Sequence, residues 1–157
     1  MASRRELIEM TDEEIKGYVQ SAQTLIIVSN GPNGYPHPMP MWFYVDDEGC
    51  LYCSTFEKSQ KVFNFTRDPK AALLIESGTV YAELKSVLIY ADTEIVTDPE
   101  FVVDTLVKMN SKGQVLDDAS LAKLREVVKK TAAKRVILKF NPRSYVTWDH
   151  SKLGGKY

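Results

Sequence analysis

The stretch 54–61 places three hydroxyls and two ammonium groups close together: Ser54, Thr55, Lys58, Ser59 and Lys61. Hydroxyls that close a strand, followed by cations that open a helix, make an anion site. The free amides of the helix's first turn add to the charged donors, so no glycine-rich loop is needed. Just upstream, Met39, Pro40, Met41, Trp42 and Phe43 offer flat, apolar and sulfur-rich surface. A flavin-like cofactor needs an anchor for its phosphate, a slot for its ring and amides near the ring's polar edge. Read separately, the first group is equally a solvated basic turn and the second more often ordinary core. Their adjacency is what points to a site.

Other chemistries find less support. His37 and His150 are the only histidines, and Cys50 and Cys53 the only cysteines. In a strand, positions three apart face opposite sides, so Cys50 and Cys53 build neither a metal site nor a disulfide. Too few ligands remain for a metal centre. No Ser-His-Asp or Cys-His context, G-x-G-x-x-G or Walker-type loop occurs, so nucleophilic hydrolysis is not expected and any redox chemistry falls to a cofactor. The last run, Thr147 to Tyr157, carries Trp148, Asp149, His150 and Lys152, which is rich for a tail. It reads equally as a packed end and as a cover over a pocket, on a second subunit.

The elements that must position these residues follow from pattern. With 157 residues the chain is expected to be one domain, 1–157. A net charge of -1 gives no long-range attraction for nucleic acid or anionic membrane. No apolar run is long enough to span a bilayer, and the start, Met1 to Glu6, does not read as a secretory leader, so the reading is cytoplasmic. Thr11 with Glu14 three residues on predicts a capped helix. Leu25–Ser29 reads as a strand buried on both faces, and Asn30–Gly34 as a hairpin turn. The prolines at 36, 38 and 40 confine the returning strand, continued by 41–45, to an edge. The turn at 46–49 feeds a strand over 50–55, and 59–66 is helical. Further strands are expected at 71–75, 80–84, 87–96 and 135–140, with 144–148 as a partner of the last. Helices are expected from Asp98 to Gly113, with Phe101, Leu106, Val107 and Met109 inward, and over 119–133. Hairpin-sized connections favour a mainly β antiparallel barrel with peripheral helices.

These residues resemble the pyridoxamine 5'-phosphate oxidase-like family, the flavin-binding split β-barrels. The resemblance covers most of the chain. It is carried by G-x-P-x-x-x-P-M-W-F from Gly34 to Phe43, by S-x-K-x-x-N-x-x-x-D-P from Ser59 to Pro69, and by V-x-W-D-H-x-K-L-G from Val146 to Gly154. It implies a homodimer with two cofactor sites between the subunits. Met39, Pro40, Met41 and Trp42 would meet the isoalloxazine of FMN. Ser54, Thr55, Ser59 and Lys61 would hold its phosphate, and Trp148 would approach from the partner. The deazaflavin coenzyme F-420 is the alternative cofactor, its longer anionic tail helped by Lys58, Arg4 or Arg5. The resemblance also implies an oxidoreductase acting on a small-molecule substrate; non-catalytic flavin or tetrapyrrole binding is the other class. The ending does not reproduce the arginine- and histidine-rich substrate motif of the vitamin-B6 oxidases, which argues against that particular oxidation.

Overall fold

In the computed structural model, which describes residues 3–155, seven strands form one antiparallel sheet in the order β2-β1-β5-β6-β7-β4-β3. The strands are β1 (Thr24–Asn30), β2 (Pro36–Trp42), β3 (Tyr44–Val45), β4 (Leu51–Phe56), β5 (Lys70–Ser77), β6 (Lys85–Val96) and β7 (Arg135–Asp149). The two edge strands of this order, β2 and β3, are consecutive in the chain and separated only by Phe43. A sheet whose first and last strands are joined by one residue must curl on itself. The seam is crossed by the chain rather than by a ladder: β2 comes within 8 Å of β4 without pairing with it. The three prolines explain why that ladder is missing. Alternate residues of β2 lack an amide donor, so the strand pairs with β1 on one side and leaves the other open.

Inside the curl, Leu25, Ile27, Leu73, Ile89, Leu138 and Phe140 form a fully buried core. α2 (Asp12–Ser21) covers one end of it with Val19, and α3 (Gln60–Arg67) the other with Val62 and Phe65. The expected Thr11–Glu14 capping box is present on α2. A second cluster lies on the outer side, where α4 (Pro99–Ser111) and α5 (Asp118–Ala132) pack Val102, Leu106 and Val128 against Tyr52 and Ile137. Cys53 belongs to the inner cluster and Cys50 lies against the outer one, the two-faced placement that the strand period requires.

Several details correct the sequence reading. β1 is buried on one face, while Ile26 and Val28 on the other are only half-buried. The segment 41–45 is not one strand: it breaks at Phe43, where the backbone changes partner from β1 to β4. Residues 80–84 hold a 3-10 turn over Tyr81–Glu83 instead of a strand. The ends 135–140 and 144–148 do not form a hairpin but one continuous strand against β6. Pro142 and Arg143 are absorbed there by a register shift opposite Tyr90 and Ala91. α4 turns Val102 and Val103 inward and leaves Phe101 at the surface, because its contact face is set by the sheet it meets. The short helix α1 (Arg4–Ile8), with its own Ser3–Glu6 capping box, carries no buried residue and gave no apolar periodicity to find.

Candidate functional site at the barrel seam

β4 ends beside the seam, and the tight turn after it (Ser59 N–H to the Phe56 carbonyl, 3.0 Å) sends the chain directly into α3. Three of the predicted residues converge there. The Lys61 ammonium donates to Thr55 Oγ1 at 3.0 Å, and Thr55 Oγ1 lies 3.2 Å from Ser59 Oγ. Ser59 stands at the N-cap of α3 but makes no capping bond with its side chain, so its hydroxyl faces Thr55. Lys61 is half-buried, and that burial holds its ammonium below the usual lysine pKa, with the Cys53 thiol the only opposing influence. Among the described residues no carboxylate forms an ion pair with it. An ammonium has three donors and is costly to desolvate unpaired. Here one donor is directed to a hydroxyl, which brings no charge.

α3 is held rigidly behind this cluster. The buried Asn64 donates to Ser29 Oγ at 2.9 Å and accepts from Gln60 at 2.9 Å, while Arg67 reaches the Asn30 carbonyl and tethers the helix to β1. The helix is therefore fixed to the strand that pairs with β2. Its first turn presents the free amides of a helix N-terminus next to Lys61.

The remaining predicted residues separate. Ser54, adjacent to Thr55, points to the opposite face of β4, where its Oγ meets Arg135 Nη1 at 3.4 Å. Arg135 also stacks over the Phe56 ring, 4.5 Å from its centroid. This arginine was missed in the sequence. It sits at the start of β7, distant in the chain, and only the pairing of Phe56 with Arg135 reveals the contact. Lys58 is exposed in the turn. In β2, Met39 and Met41 turn inward against the core, whereas Pro40 and Trp42 face out, Trp42 being 70% exposed. The other inward residue of that strand, His37, buries a ring nitrogen, Nδ1, that has no hydrogen-bond partner among the described residues.

Trp148 lies far from Lys61 within one chain. Thr55 pairs with Val136, and twelve positions at roughly 3.3 Å each separate Val136 from Trp148 along β7. Beyond it the chain forms a short 3-10 turn, His150–Leu153, held by side-chain bonds; Lys156 and Tyr157, like Met1 and Ala2, lie outside the described residues. Asp149 pairs with Lys85 at 2.9 Å and accepts from the Ser151 hydroxyl. Lys152 donates to the Glu9 carbonyl and to Glu14, and His150 Nδ1 lies 3.0 Å from the Tyr81 carbonyl.

Of the residues singled out in the sequence for cofactor binding, only Arg5 lines either of two surface clefts, of about 380 and 350 Å³. Among the described residues no three His, Cys, Asp or Glu side chains gather as metal ligands, and no helix is long and apolar enough to cross a membrane.

A curled antiparallel sheet, closed by the chain but not by hydrogen bonds between its edges, defines the split β-barrel class. The family model described as pyridoxamine 5'-phosphate oxidase matches residues 11–149, and the chain belongs to that family. It is similar to a conserved hypothetical protein from Mycobacterium tuberculosis, with 33% identity and a TM-score of 0.87 over 99% of this chain and 95% of that one. More distant solved structures share the fold. One is named as an F420 reductase (20% identity, TM-score 0.61, 83% of this chain and 94% of that one). Another is the heme storage protein HutZ from Vibrio cholerae (15% identity, TM-score 0.64, 91% and 99%). No curated protein matches the chain.

Proposed function

We propose that the chain is a flavin-dependent oxidoreductase that works as a homodimer, with FMN bound between subunits at the barrel seam. The observation that carries this reading is Lys61: a half-buried ammonium, fixed by Thr55 and Ser59 at a helix N-terminus, with no carboxylate to neutralise it. A dianionic phosphate supplies the missing charge, and the hydroxyls and helix amides supply its hydrogen bonds. The unpartnered Nδ1 of His37 and the inward thioethers of Met39 and Met41 lie on the strand that edges the seam, where a ring and its polar side chain would be received.

The bound flavin supplies hydride transfer between a reduced nicotinamide and a small acceptor. The chain's own residues do the rest. Lys61, Thr55 and Ser59 fix the tail, and the rigid Asn64–Ser29 tether keeps α3 and β2 in register so that tail and ring slot stay aligned.

A second copy is supported by an apolar band on the outside of the barrel. Pro40, Ile26, Leu74, Leu88 and Val146 stand in register across β2, β1, β5, β6 and β7. They belong to neither core cluster. Five strands make this band roughly 20 Å wide. Trp42 and Trp148 flank it at opposite ends, each two positions beyond a band residue. Pairing through this face would bring the Trp148 of one protomer to the seam of the other, which its own strand length prevents within one chain.

The test is spectroscopy of the untreated purified protein, followed by mass spectrometry of what heating releases. FMN is expected, with flavin absorbance. Release of a deazaflavin or a tetrapyrrole, or stoichiometric failure of FMN to bind on addition, overturns the assignment.

A further inference from the structure

The larger of the two clefts lies between α2 and the turn that joins β3 to β4, and shares no residue with the Lys61 cluster. Its volume of about 380 Å³ falls in the range of small-molecule sites, roughly 300–1,000 Å³. Its floor is apolar: Ile15 and Val19 from α2, Val45 and Leu51 from the β3–β4 hairpin, and Ile89 from β6. Its rim is acidic, with Asp12 at the start of α2 and Asp46, Asp47 and Glu48 in the turn. Lys16 is the one cation among the lining residues. Asp46 is consumed internally, accepting from the Glu48 and Cys50 amides and from the Tyr52 hydroxyl at 2.7 Å. Asp12, Asp47 and Glu48 are different. They are exposed, and the ion pairs among the described residues use other acids.

Tyr145 closes one side of the cleft. Its hydroxyl reaches Gly49 so closely that a Cβ there would lie 4.0 Å from it, and it makes no hydrogen bond among the described residues. Partial burial, with Cys50 and Asp12 nearby, raises the pKa of that phenol above its ordinary 10. Tyr145 and Ile89 are also on the opposite strand face from Val146 and Leu88, so the cleft opens away from the outer band. The adjoining 350 Å³ cleft shares Asp12, Ile15 and Tyr145 and extends the space toward α1.

An apolar floor under three carboxylates that form no ion pair among the described residues, with Lys16 the single cation on the rim, fits a ligand with a hydrocarbon body and a positive head. We propose that this cleft is a second binding site, distinct from the Lys61 cluster, for an alkylammonium-type amphipathic cation: the chain lies on Ile15 and Val45, over the buried Leu51, and the ammonium sits between Asp12 and the Asp47–Glu48 turn.

The test is calorimetric titration of the full-length protein with octylammonium, octanoate and octanol, each with the seam saturated with FMN and without added FMN. Octylammonium is expected to bind at least tenfold more tightly than octanoate or octanol, whether or not FMN is present. Asp47→Asn with Glu48→Gln, both in an exposed turn that needs neither charge to fold, should erase most of that preference. Ile15→Trp should fill the floor and weaken octylammonium and octanol alike. Equal binding of octylammonium and octanoate, or a preference unchanged by the turn variant, overturns the proposal. So does binding that Ile15→Trp leaves intact. FMN titration in the same variants is the separate readout of the seam: failure there touches the functional reading and not this one.

Discussion

Lys61 and Lys152 both stand next to helical turns, the first half-buried and the second exposed, and their surroundings are opposite. Lys152 is answered inside the chain by the Glu14 carboxylate and the Glu9 carbonyl, so it ties the tail to the first two helices. Lys61 is answered only by a hydroxyl, and burial pulls its pKa down with no carboxylate to restore it. The difference separates a lysine that completes a structure from one left incomplete by it. On the proposed reading, the charge that the fold desolvates at Lys61 without pairing is kept for the phosphate.

The comparison is broken most severely through the outer band, on which the proposed intersubunit site depends. Leu88→Lys places a charge in the middle of that band, and sedimentation is expected to show monomers with FMN binding lost. A dimer that survives with full affinity would put the interface elsewhere. Thr55→Val keeps the shape of a buried residue but removes the acceptor of Lys61. The ammonium then loses a charge-assisted hydrogen bond, worth about 1.5–3 kcal/mol, so FMN affinity in fluorescence titrations should fall roughly tenfold or more.

The pH dependence sharpens the same contrast. Because burial lowers the Lys61 pKa from its ordinary 10.5, FMN affinity should decline on the alkaline side before an ordinary lysine titrates. Lys61→Arg should move that decline upward, since a guanidinium stays charged. For Lys152 the sign is reversed. Its hydrogen bond is the largest cause that lowers the Glu14 pKa from 4.5, so the stabilisation is present above 4.5 and is lost as pH falls through the depressed value. Lys152→Met should therefore lower the melting temperature at neutral pH, flatten its acid dependence and leave FMN affinity unchanged, the smallest effect of the set on binding.

Much of this contrast was legible in the chain itself. Thr55, Ser59 and Lys61 are local to one strand end and one helix start, and local spacing suffices to bring them together. The prolines of β2 likewise announced an edge, and the edge is the seam. What the spacing hid was set by pairing at long range. Ser54 and Thr55 look equivalent in sequence, but the strand sends one to Arg135 and the other to Lys61. Residues 135–140 and 144–148 look like a hairpin around Asn141–Pro142, yet β6 is long enough to pair with both and holds them as one strand. The partners of Lys152, at Glu9 and Glu14, come from the other end of the chain, so nothing near it could distinguish its role from that of Lys61.

The most direct measurement is an equilibrium FMN titration of the wild-type protein, Lys61→Ala and Lys152→Ala, followed by flavin fluorescence. Losing a charged hydrogen bond costs about 1.5–3 kcal/mol, so Lys61→Ala should bind FMN roughly ten- to a hundredfold more weakly, while Lys152→Ala binds as the wild type does. Equal affinity in the wild type and Lys61→Ala, or a loss confined to Lys152→Ala, would contradict the placement of the phosphate at the seam.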